Sequence, residues 1–132
     1  MLKGINHITV AVSNIEHSFR FYTELLGMKA HAKWEFGAYL SLGDLWFCLS
    51  VDEVKPNADY THIAFDIAED DFPMFVERLR TARVKEWKVN KSEGQSLYVL
   101  DPDGHKLEIH CGSLSSRLTS MNADSYKGLV RY

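Results

Sequence analysis

The chain has 132 residues, of which 45% are hydrophobic and 25% are charged, a balance typical of a compact globular domain. Its 15 basic and 18 acidic side chains give a net charge of −3, which excludes the basic surface of a nucleic-acid-binding protein and argues for a small substrate. No apolar run approaches the roughly 18 residues of a membrane span, and no signal peptide opens the chain, so we expect a cytoplasmic protein. Its two cysteines are too few for a disulfide framework and are expected to be reduced.

An internal repeat organises the chain. Segments 6–12 and 61–67 align with one another, and each has a histidine, His7 or His62, at its second position, followed by alternating apolar residues. Each segment precedes a helical pattern and then short strands. We therefore predict an α+β fold made of paired βαβββ modules.

The repeat also gives the domain organisation. The whole chain, 1–132, is predicted to be one domain. It contains module 1 at residues 1–53, module 2 at residues 58–111 and a C-terminal extension at residues 112–132, with a linker around Pro56.

In module 1, Ser13 and Glu16 have the spacing of a capping box, and an apolar stripe after them predicts a helix that ends near Gly27. Strands are predicted at 38–41 and 46–51, on either side of a Gly-Asp turn.

In module 2, three acidic residues at 69–71 and Pro73 mark the start of a second helix. The strand predicted at 96–100 leads through the turn sequence Asp-Pro-Asp-Gly into another at 106–111. The extension is predicted to contain a short helix at 114–121.

Alternation places potential metal ligands on the strand faces that point away from the helices. His7 shares this face with Thr9, His62 has the equivalent position in module 2, and Glu108 lies on the same side of the last strand. A single strand histidine more often has a purely structural role. The repeated position favours the other interpretation, a divalent-metal site made of His7, His62 and Glu108 with open coordination positions.

The other histidines and the cysteines have weaker signals. His17 and His31 are predicted on a helix and in a turn region, and His105 is predicted to be exposed. His110 shares a face with Glu108 and can contact the metal ligands. Cys48 is expected to line the cavity, and Cys111 is expected on the opposite face from Glu108.

A polar, glycine-containing segment spans residues 87–98. Together with Arg117 from the extension, it offers Lys88, Ser92 and Tyr98 as partners for a phosphate or phosphonate group. An ordinary surface loop is the alternative interpretation of the same residues.

Several segments together resemble the FosA-type fosfomycin-resistance enzymes of the vicinal-oxygen-chelate, or glyoxalase, superfamily. The resemblance covers nearly the whole chain up to about Arg117. The segments are LKGINHIT at 2–9, the residues at 21–27, GAYL at 37–40, LWFCLS at 45–50, DYTH at 59–62, WKVNKSEG at 87–94 and DPDGHKLE at 101–108.

The resemblance implies mixed sheets curled around a metal cavity in a domain-swapped homodimer. It implies Mn(II) bound by His7 of one chain with His62 and Glu108 of the other, and glutathione added to the epoxide of fosfomycin. The implied catalytic residues are Thr9, beside the epoxide oxygen, and Tyr39, near the incoming thiol. The implied substrate-binding residues are Trp46, Lys88, Ser92, Tyr98 and Arg117, and the implied potassium ligands are Asn90, Ser92, Gly94 and Ser96.

Other functions stay open. A sister enzyme could open the epoxide with another thiol, such as bacillithiol or cysteine, or with water. The thiol-using sister group commonly carries cysteine at the position of Thr9, so Thr9 favours glutathione. A glyoxalase or dioxygenase would use the three ligands but not the loop at 87–98, and a non-catalytic drug-binding protein of the same fold would need no metal.

Overall fold

The computed structural model describes all residues, 1–132, and contains eight strands, three α-helices and one π-helical turn. The N-terminal half contains β1 (His7–Val12), α1 (Ile15–Arg20), the π-helical turn (Phe21–Leu25), β2 (Lys29–Trp34), β3 (Gly37–Leu42) and β4 (Leu45–Val51). The C-terminal half contains β5 (Ile63–Asp66), α2 (Phe72–Thr81), β6 (Glu86–Lys88), β7 (Gln95–Leu100), β8 (Lys106–Cys111) and α3 (Leu114–Ser120). This order confirms the two predicted βαβββ units and the short C-terminal helix.

The strands form two four-stranded mixed sheets with the same topology. The N-terminal sheet has the order β1-β4-β3-β2, and the C-terminal sheet has the order β5-β8-β7-β6. In each sheet the first pair is parallel and the other two pairs are antiparallel. Each sheet therefore has an edge strand, β1 or β5, next to the strand that ends its module.

The apolar faces of both sheets share one hydrophobic core. Val10 and Val12 of β1 are buried, as the alternation predicts, and Phe65 is buried in the equivalent strand β5. The rings of Phe47 and Phe65 join the two halves, with their centroids 6.0 Å apart. Helices α1 and α2 cover this side, which leaves the opposite face of each sheet for the site.

Polar contacts at the Asp-Pro-Asp-Gly turn also join the two halves. The hydroxyl of Tyr22 donates to Asp101 Oδ2 at 2.7 Å, and burial raises the pKa of Tyr22, which keeps the phenol protonated as a donor. The other oxygen of Asp101 accepts the backbone N–H groups of Asp103 and His105, each at 2.9 Å. His105 Nε2 lies 2.7 Å from the Ala11 carbonyl, so the prediction that His105 is exposed is wrong.

The first helix ends near Gly27 as predicted, but its N-cap and the geometry of its last turn differ from the prediction. Asn14, not Ser13, caps α1, because its side-chain oxygen accepts the N–H of His17 at 3.1 Å. Ser13 is held instead by the carboxylate of Asp103, and Glu16 pairs with Lys33 at 2.5 Å, so the predicted capping box does not form. The α-helical geometry ends at Arg20, and π-helical geometry continues to Leu25. Leu26 is the C-cap and Gly27 follows with a φ of +81°, which confirms the predicted stop at this glycine.

Two predicted turn or loop segments are strands. His31 lies in β2, where its Nε2 is 2.6 Å from the hydroxyl of Ser41, and not in a turn. Trp87 and Lys88 belong to the short strand β6. Every residue of β2 is exposed. Its sequence nevertheless has a period of two, because the apolar residues Ala30, Ala32 and Trp34 alternate with polar ones, which is a pattern typical of a strand. No helix has the length and apolar character needed to cross a membrane.

Candidate active site

Glu108 lies at the centre of the polar face of the C-terminal sheet. Strand β8 is an inner strand, and its register places Glu108 between Ala64 of β5 and Tyr98 of β7. Only 7% of Glu108 is exposed. A buried carboxylate is unfavourable unless a cation or several donors compensate its charge, so the surroundings of Glu108 indicate what binds there.

His62 presents a nitrogen lone pair to this carboxylate. Its Nδ1 lies 2.7 Å from the Tyr60 carbonyl oxygen, which can only accept, so Nδ1 carries the proton. In the neutral ring, Nε2 is then an acceptor, and it lies 3.0 Å from Glu108 Oε1, a second acceptor. Two acceptors at this distance require a proton or a cation between them, and one imidazole with one carboxylate suits a divalent metal.

The second oxygen of Glu108 is held by two neighbours. The Ser96 hydroxyl lies 2.7 Å from Oε2. His110 Nδ1 lies 3.2 Å from the same atom, which agrees with the prediction that His110 and Glu108 share one face of β8. Two glycines with positive φ pack against the imidazole of His110: a Cβ added at Gly94 would lie 2.9 Å from its Cε1, and one at Gly112 would lie 2.7 Å from its Nε2. These contacts fix the orientation of the carboxylate.

His7 is exposed on the N-terminal sheet and does not join this pair. Its Nδ1 lies 2.7 Å from the Asn6 side-chain oxygen, which leaves Nε2 free to bind a metal, and its ring packs on Trp46 with centroids 4.5 Å apart. Within residues 1–132, no three histidine, cysteine, aspartate or glutamate side chains lie close enough together to hold a metal ion. One chain therefore brings together two of the three predicted ligands.

Lys88 places its positive charge beside the same face. Its ammonium group lies over the rings of Tyr60 and Tyr98, at 4.6 and 4.9 Å from their centroids, and donates to the Tyr60 hydroxyl. This hydrogen bond raises the pKa of Lys88, so the side chain stays cationic at neutral pH. Tyr98 itself is buried, with only 3% exposed.

The loop between β6 and β7 folds back on itself and on helix α3. Asn90 donates to the Gly94 carbonyl at 2.8 Å and accepts both the N–H and the hydroxyl of Ser92 at 3.1 Å. Arg117, from α3, donates to the Glu93 carboxylate at 3.2 Å and to the Glu93 carbonyl at 3.1 Å. The loop thus brings together three of the four residues suggested for potassium, whereas the fourth, Ser96, contacts Glu108.

The equivalent face of the N-terminal sheet is aromatic. Tyr39 and Trp46 are 42% and 40% exposed, and their rings meet edge to face with centroids 5.2 Å apart. Thr9 is exposed beside them, and its register partner Cys48 is buried between Thr9 and Tyr39. Two neighbouring exposed aromatic rings on one sheet face are typical of a surface that binds a ligand or a partner chain.

Two residues that contact His62 are not among the predicted site residues. The backbone carbonyl of Tyr60 orients His62, and the indole of Trp87 lies against the same imidazole with centroids 5.5 Å apart. Trp87 belongs to a three-residue strand, which is too short to show a period. The sequence does contain a signal for each: the alternation places Tyr60 on the same face as His62, and Trp87 begins the segment 87–94 that supports the family resemblance.

The sequence profile of the Glyoxalase/Bleomycin resistance protein/Dioxygenase superfamily matches residues 4–109. A glutathione transferase FosA from Serratia marcescens is 53% identical over 98% of this chain and 96% of its own. This chain belongs to the FosA-type branch of the superfamily. A metallothiol transferase FosB from Staphylococcus haemolyticus, 43% identical over 90% of this chain and 91% of its own, is a more distant relative.

Solved structures agree with this placement. The fosfomycin resistance protein FosX from Listeria monocytogenes, in a mutant form complexed with Mn(II) and 1S,2S-dihydroxypropylphosphonic acid, has a TM-score of 0.82 at 25% identity. The match covers 89% of this chain and 99% of that one. FosX from Mesorhizobium loti has a TM-score of 0.79 at 29% identity, with 89% and 99% covered. The fold is therefore shared with these fosfomycin resistance proteins along nearly the whole chain.

Proposed function

We propose that this protein transfers glutathione to the epoxide of fosfomycin, which opens the ring and inactivates the antibiotic. The proposal is supported by the FosA relative of 53% identity and by the two facing acceptors, His62 Nε2 and Glu108 Oε1, 3.0 Å apart beside a cationic lysine. A phosphonate with an adjacent epoxide oxygen offers the two oxygens that a partly coordinated divalent metal can hold.

The proposed metal site is shared between two chains in a homodimer. His62 and Glu108 of one chain are completed by His7 of its partner, because His7 has a free Nε2 but lies in the other sheet. The exposed rings of Trp46 and Tyr39 beside His7 then face the partner's polar sheet and form an apolar wall for the substrate. In this arrangement, module 1 (residues 1–53) of one chain and module 2 (residues 58–111) of its partner would each supply one half of the site.

Mn(II) is the proposed metal, consistent with the Mn(II) in the FosX structure. When bound, it would supply Lewis acidity to the epoxide oxygen. The protein would hold the phosphonate through Lys88, Ser92, Tyr98 and Arg117. The positive charges of Lys88 and Arg117 would offset the repulsion between the phosphonate and an incoming thiolate. Potassium bound by Asn90, Ser92, Gly94 and Ser96 would add to this charge.

Reaction geometry follows from these placements. The thiolate sulfur forms a bond to an epoxide carbon as the carbon–oxygen bond breaks, and the released oxygen takes up a proton. Thr9 is proposed beside that oxygen, Tyr39 near the thiol and Trp46 against the carbon skeleton. Because these groups are on strands, catalysis would depend on positioning and electrostatics more than on proton transfer by a side chain.

The direct test is product analysis. The full-length protein is mixed with Mn(II), K⁺ and fosfomycin in the presence of glutathione, cysteine and bacillithiol together, and the products are analysed by mass spectrometry. We expect the glutathione adduct to dominate. A dominant adduct of another thiol, or the diol formed by water, would assign the chain to a sister reaction. If cells that express the protein survive fosfomycin but the purified protein forms no product, the chain sequesters the drug instead of modifying it. The cytoplasmic location stays a prediction.

A further inference from the structure

His62 lies outside regular secondary structure. Strand β5 begins at Ile63, so the histidine ends an irregular segment that follows the linker. A strand ladder therefore does not fix its backbone directly. Other contacts have to keep its Nε2 at 3.0 Å from Glu108.

Trp87 provides contacts on one side of this imidazole. The indole meets the His62 ring at 61° with centroids 5.5 Å apart, and it meets the rings of Tyr60 and Tyr98 at 5.7 and 5.1 Å. Its Nε1–H donates to the Leu107 carbonyl at 3.0 Å. Leu107 precedes Glu108, so the same indole contacts the histidine and is bonded to the backbone of the strand that carries the carboxylate.

Lys106 secures the segment that leads into His62. Its ammonium group lies 5.6 Å from the Trp87 ring centroid, and it donates to the carbonyls of Asn57, at 3.1 Å, and Asp59. The Asp59 carboxylate accepts the Thr61 N–H at 2.9 Å, and this bond lowers the pKa of Asp59. The segment is thus tied to β8 through Lys106.

We propose that Trp87 is a positioning residue for the metal centre, and that Lys106 assists it. The indole holds the imidazole of His62 at the angle that directs Nε2 toward Glu108, while its N–H keeps that imidazole in register with β8. This role rests on the proposed function, because it assumes that His62 and Glu108 bind a metal. It assigns to Trp87 a purpose distinct from substrate contact.

Such a residue affects metal affinity more than turnover. Loss of a group that orients a ligand typically weakens metal binding about 10- to 100-fold, because the ligand must be ordered at the moment of binding. Once the metal is bound, the metal itself orders the imidazole. Saturating Mn(II) should therefore restore most of the turnover number.

The test compares Trp87→Leu and Trp87→Phe with Phe75→Leu in the full-length protein. Phe75 is a half-buried aromatic residue of α2 that packs against the hydrophobic core, so its replacement is a control for a general loss of packing. Mn(II) dissociation constants are measured from the electron paramagnetic resonance signal of free Mn(II), and melting temperatures are measured in parallel. The turnover number is then measured at saturating Mn(II).

We expect Trp87→Leu to raise the Mn(II) dissociation constant by about tenfold or more, and Trp87→Phe, which keeps a ring but loses the donor, to raise it less. Phe75→Leu should lower the melting temperature without changing Mn(II) affinity. Wild-type affinity in Trp87→Leu, or equal weakening by Phe75→Leu, would refute the positioning role. Failure of the wild-type protein to bind Mn(II) would instead overturn the metal site itself and, with it, this role.

Lys106→Met keeps the aliphatic stem and removes the donors, so it tests the same idea if Trp87→Leu does not fold. We expect a smaller rise in the Mn(II) dissociation constant, with recovery of turnover at saturating metal. Unchanged affinity in both Lys106→Met and Trp87→Phe would also refute the proposal.

Discussion

The two sheets have the same strand order, yet equivalent positions carry different chemistry. His7 and His62 correspond in the repeat, and Cys48 corresponds to Glu108, since each lies beside the first strand of its sheet at the same register. Thr9 and Tyr39 flank Cys48, as Ala64 and Tyr98 flank Glu108. The same backbone thus presents one imidazole on an aromatic wall in the first sheet, and an imidazole with a carboxylate in the second.

In the proposed site, this asymmetry lets a duplicated unit form a catalytic centre. Two identical halves would supply two imidazoles and two carboxylates and would leave fewer positions for a substrate. Cysteine at position 48, only 6% exposed and packed between strands, occupies the place of the fourth ligand. Variants in each sheet test whether the difference between the two sheets is functional.

The largest effect is expected from removing a ligand of either sheet. His7→Ala, His62→Ala and Glu108→Ala should each abolish adduct formation while the protein stays folded, because none of the three belongs to the hydrophobic core. Activity is measured by the mass of the adduct, and folding by circular dichroism and thermal melting. A variant that loses a ligand but retains activity would remove that residue from the metal site.

Mixing two of these inactive variants tests whether the sheets work across chains. If His7→Ala and His62→Ala chains exchange freely, half of the dimers are mixed, and each mixed dimer has one intact site and one site with both defects. About a quarter of the wild-type activity should then return. A site contained in one chain predicts no recovery, so the two arrangements give clearly different results.

The next effect comes from making the N-terminal sheet resemble the C-terminal one. Cys48→Glu places a carboxylate beside His7 where Glu108 stands beside His62, which should fill an open coordination position. We expect kcat/KM for fosfomycin to fall at least about a hundredfold, with Mn(II) affinity maintained or increased. Cys48→Ala is the matched control and should remain active. Equal loss in both variants would mean that packing at position 48, and not the added ligand, matters.

The repeat made much of this arrangement predictable. The repeated second position makes His7 and His62 the candidate ligands, and alternation in the last strand places Glu108 on the polar face, because a period of two determines which face a side chain occupies. The start of α2 near Pro73 and the turn at 101–104 follow from residues with strong local preferences.

Other features depend on contacts that are distant in sequence. Ser13 has the residue type and spacing of a helix cap, but Asp103, 90 residues away, takes its hydrogen bonds, so Asn14 becomes the cap. Strand β2 has a period of two, but two of its three apolar residues are small alanines and none of its residues is buried, so its signal is weak. The orientation of His62 depends on Tyr60 and Trp87, whose contacts exist only after the linker folds against β8.

A smaller effect is expected when the C-terminal sheet loses its cation. Lys88 pairs with Tyr98 where Ala32 pairs with Tyr39, so Lys88→Ala copies the N-terminal arrangement. Loss of a charge-assisted hydrogen bond should raise KM for fosfomycin about 10- to 100-fold with less effect on KM for glutathione. Lys85→Ala removes an exposed lysine three residues away and serves as the control. A rise in KM for glutathione alone would place Lys88 on the thiol side.

The smallest effects should separate the two equivalent tyrosines. Tyr39 and Tyr98 have the same place in their sheets, but Tyr98 lies under the Lys88 cation on the side proposed to bind the phosphonate, whereas Tyr39 packs on Trp46 near the proposed path of the thiol. Each phenylalanine variant keeps the ring and removes one hydroxyl donor, whose hydrogen bond to an anionic group contributes about 1.5 kcal/mol, or about tenfold, the lower end of the range expected for Lys88. Tyr98→Phe should therefore raise KM for fosfomycin, and Tyr39→Phe should lower kcat/KM for glutathione. The substitution is the same at both positions, so the two variants can be compared directly. If both variants changed KM for fosfomycin and kcat/KM for glutathione alike, the division of roles between the sheets would be contradicted. If Tyr98→Phe affected only glutathione and Tyr39→Phe only fosfomycin, the two roles would be reversed.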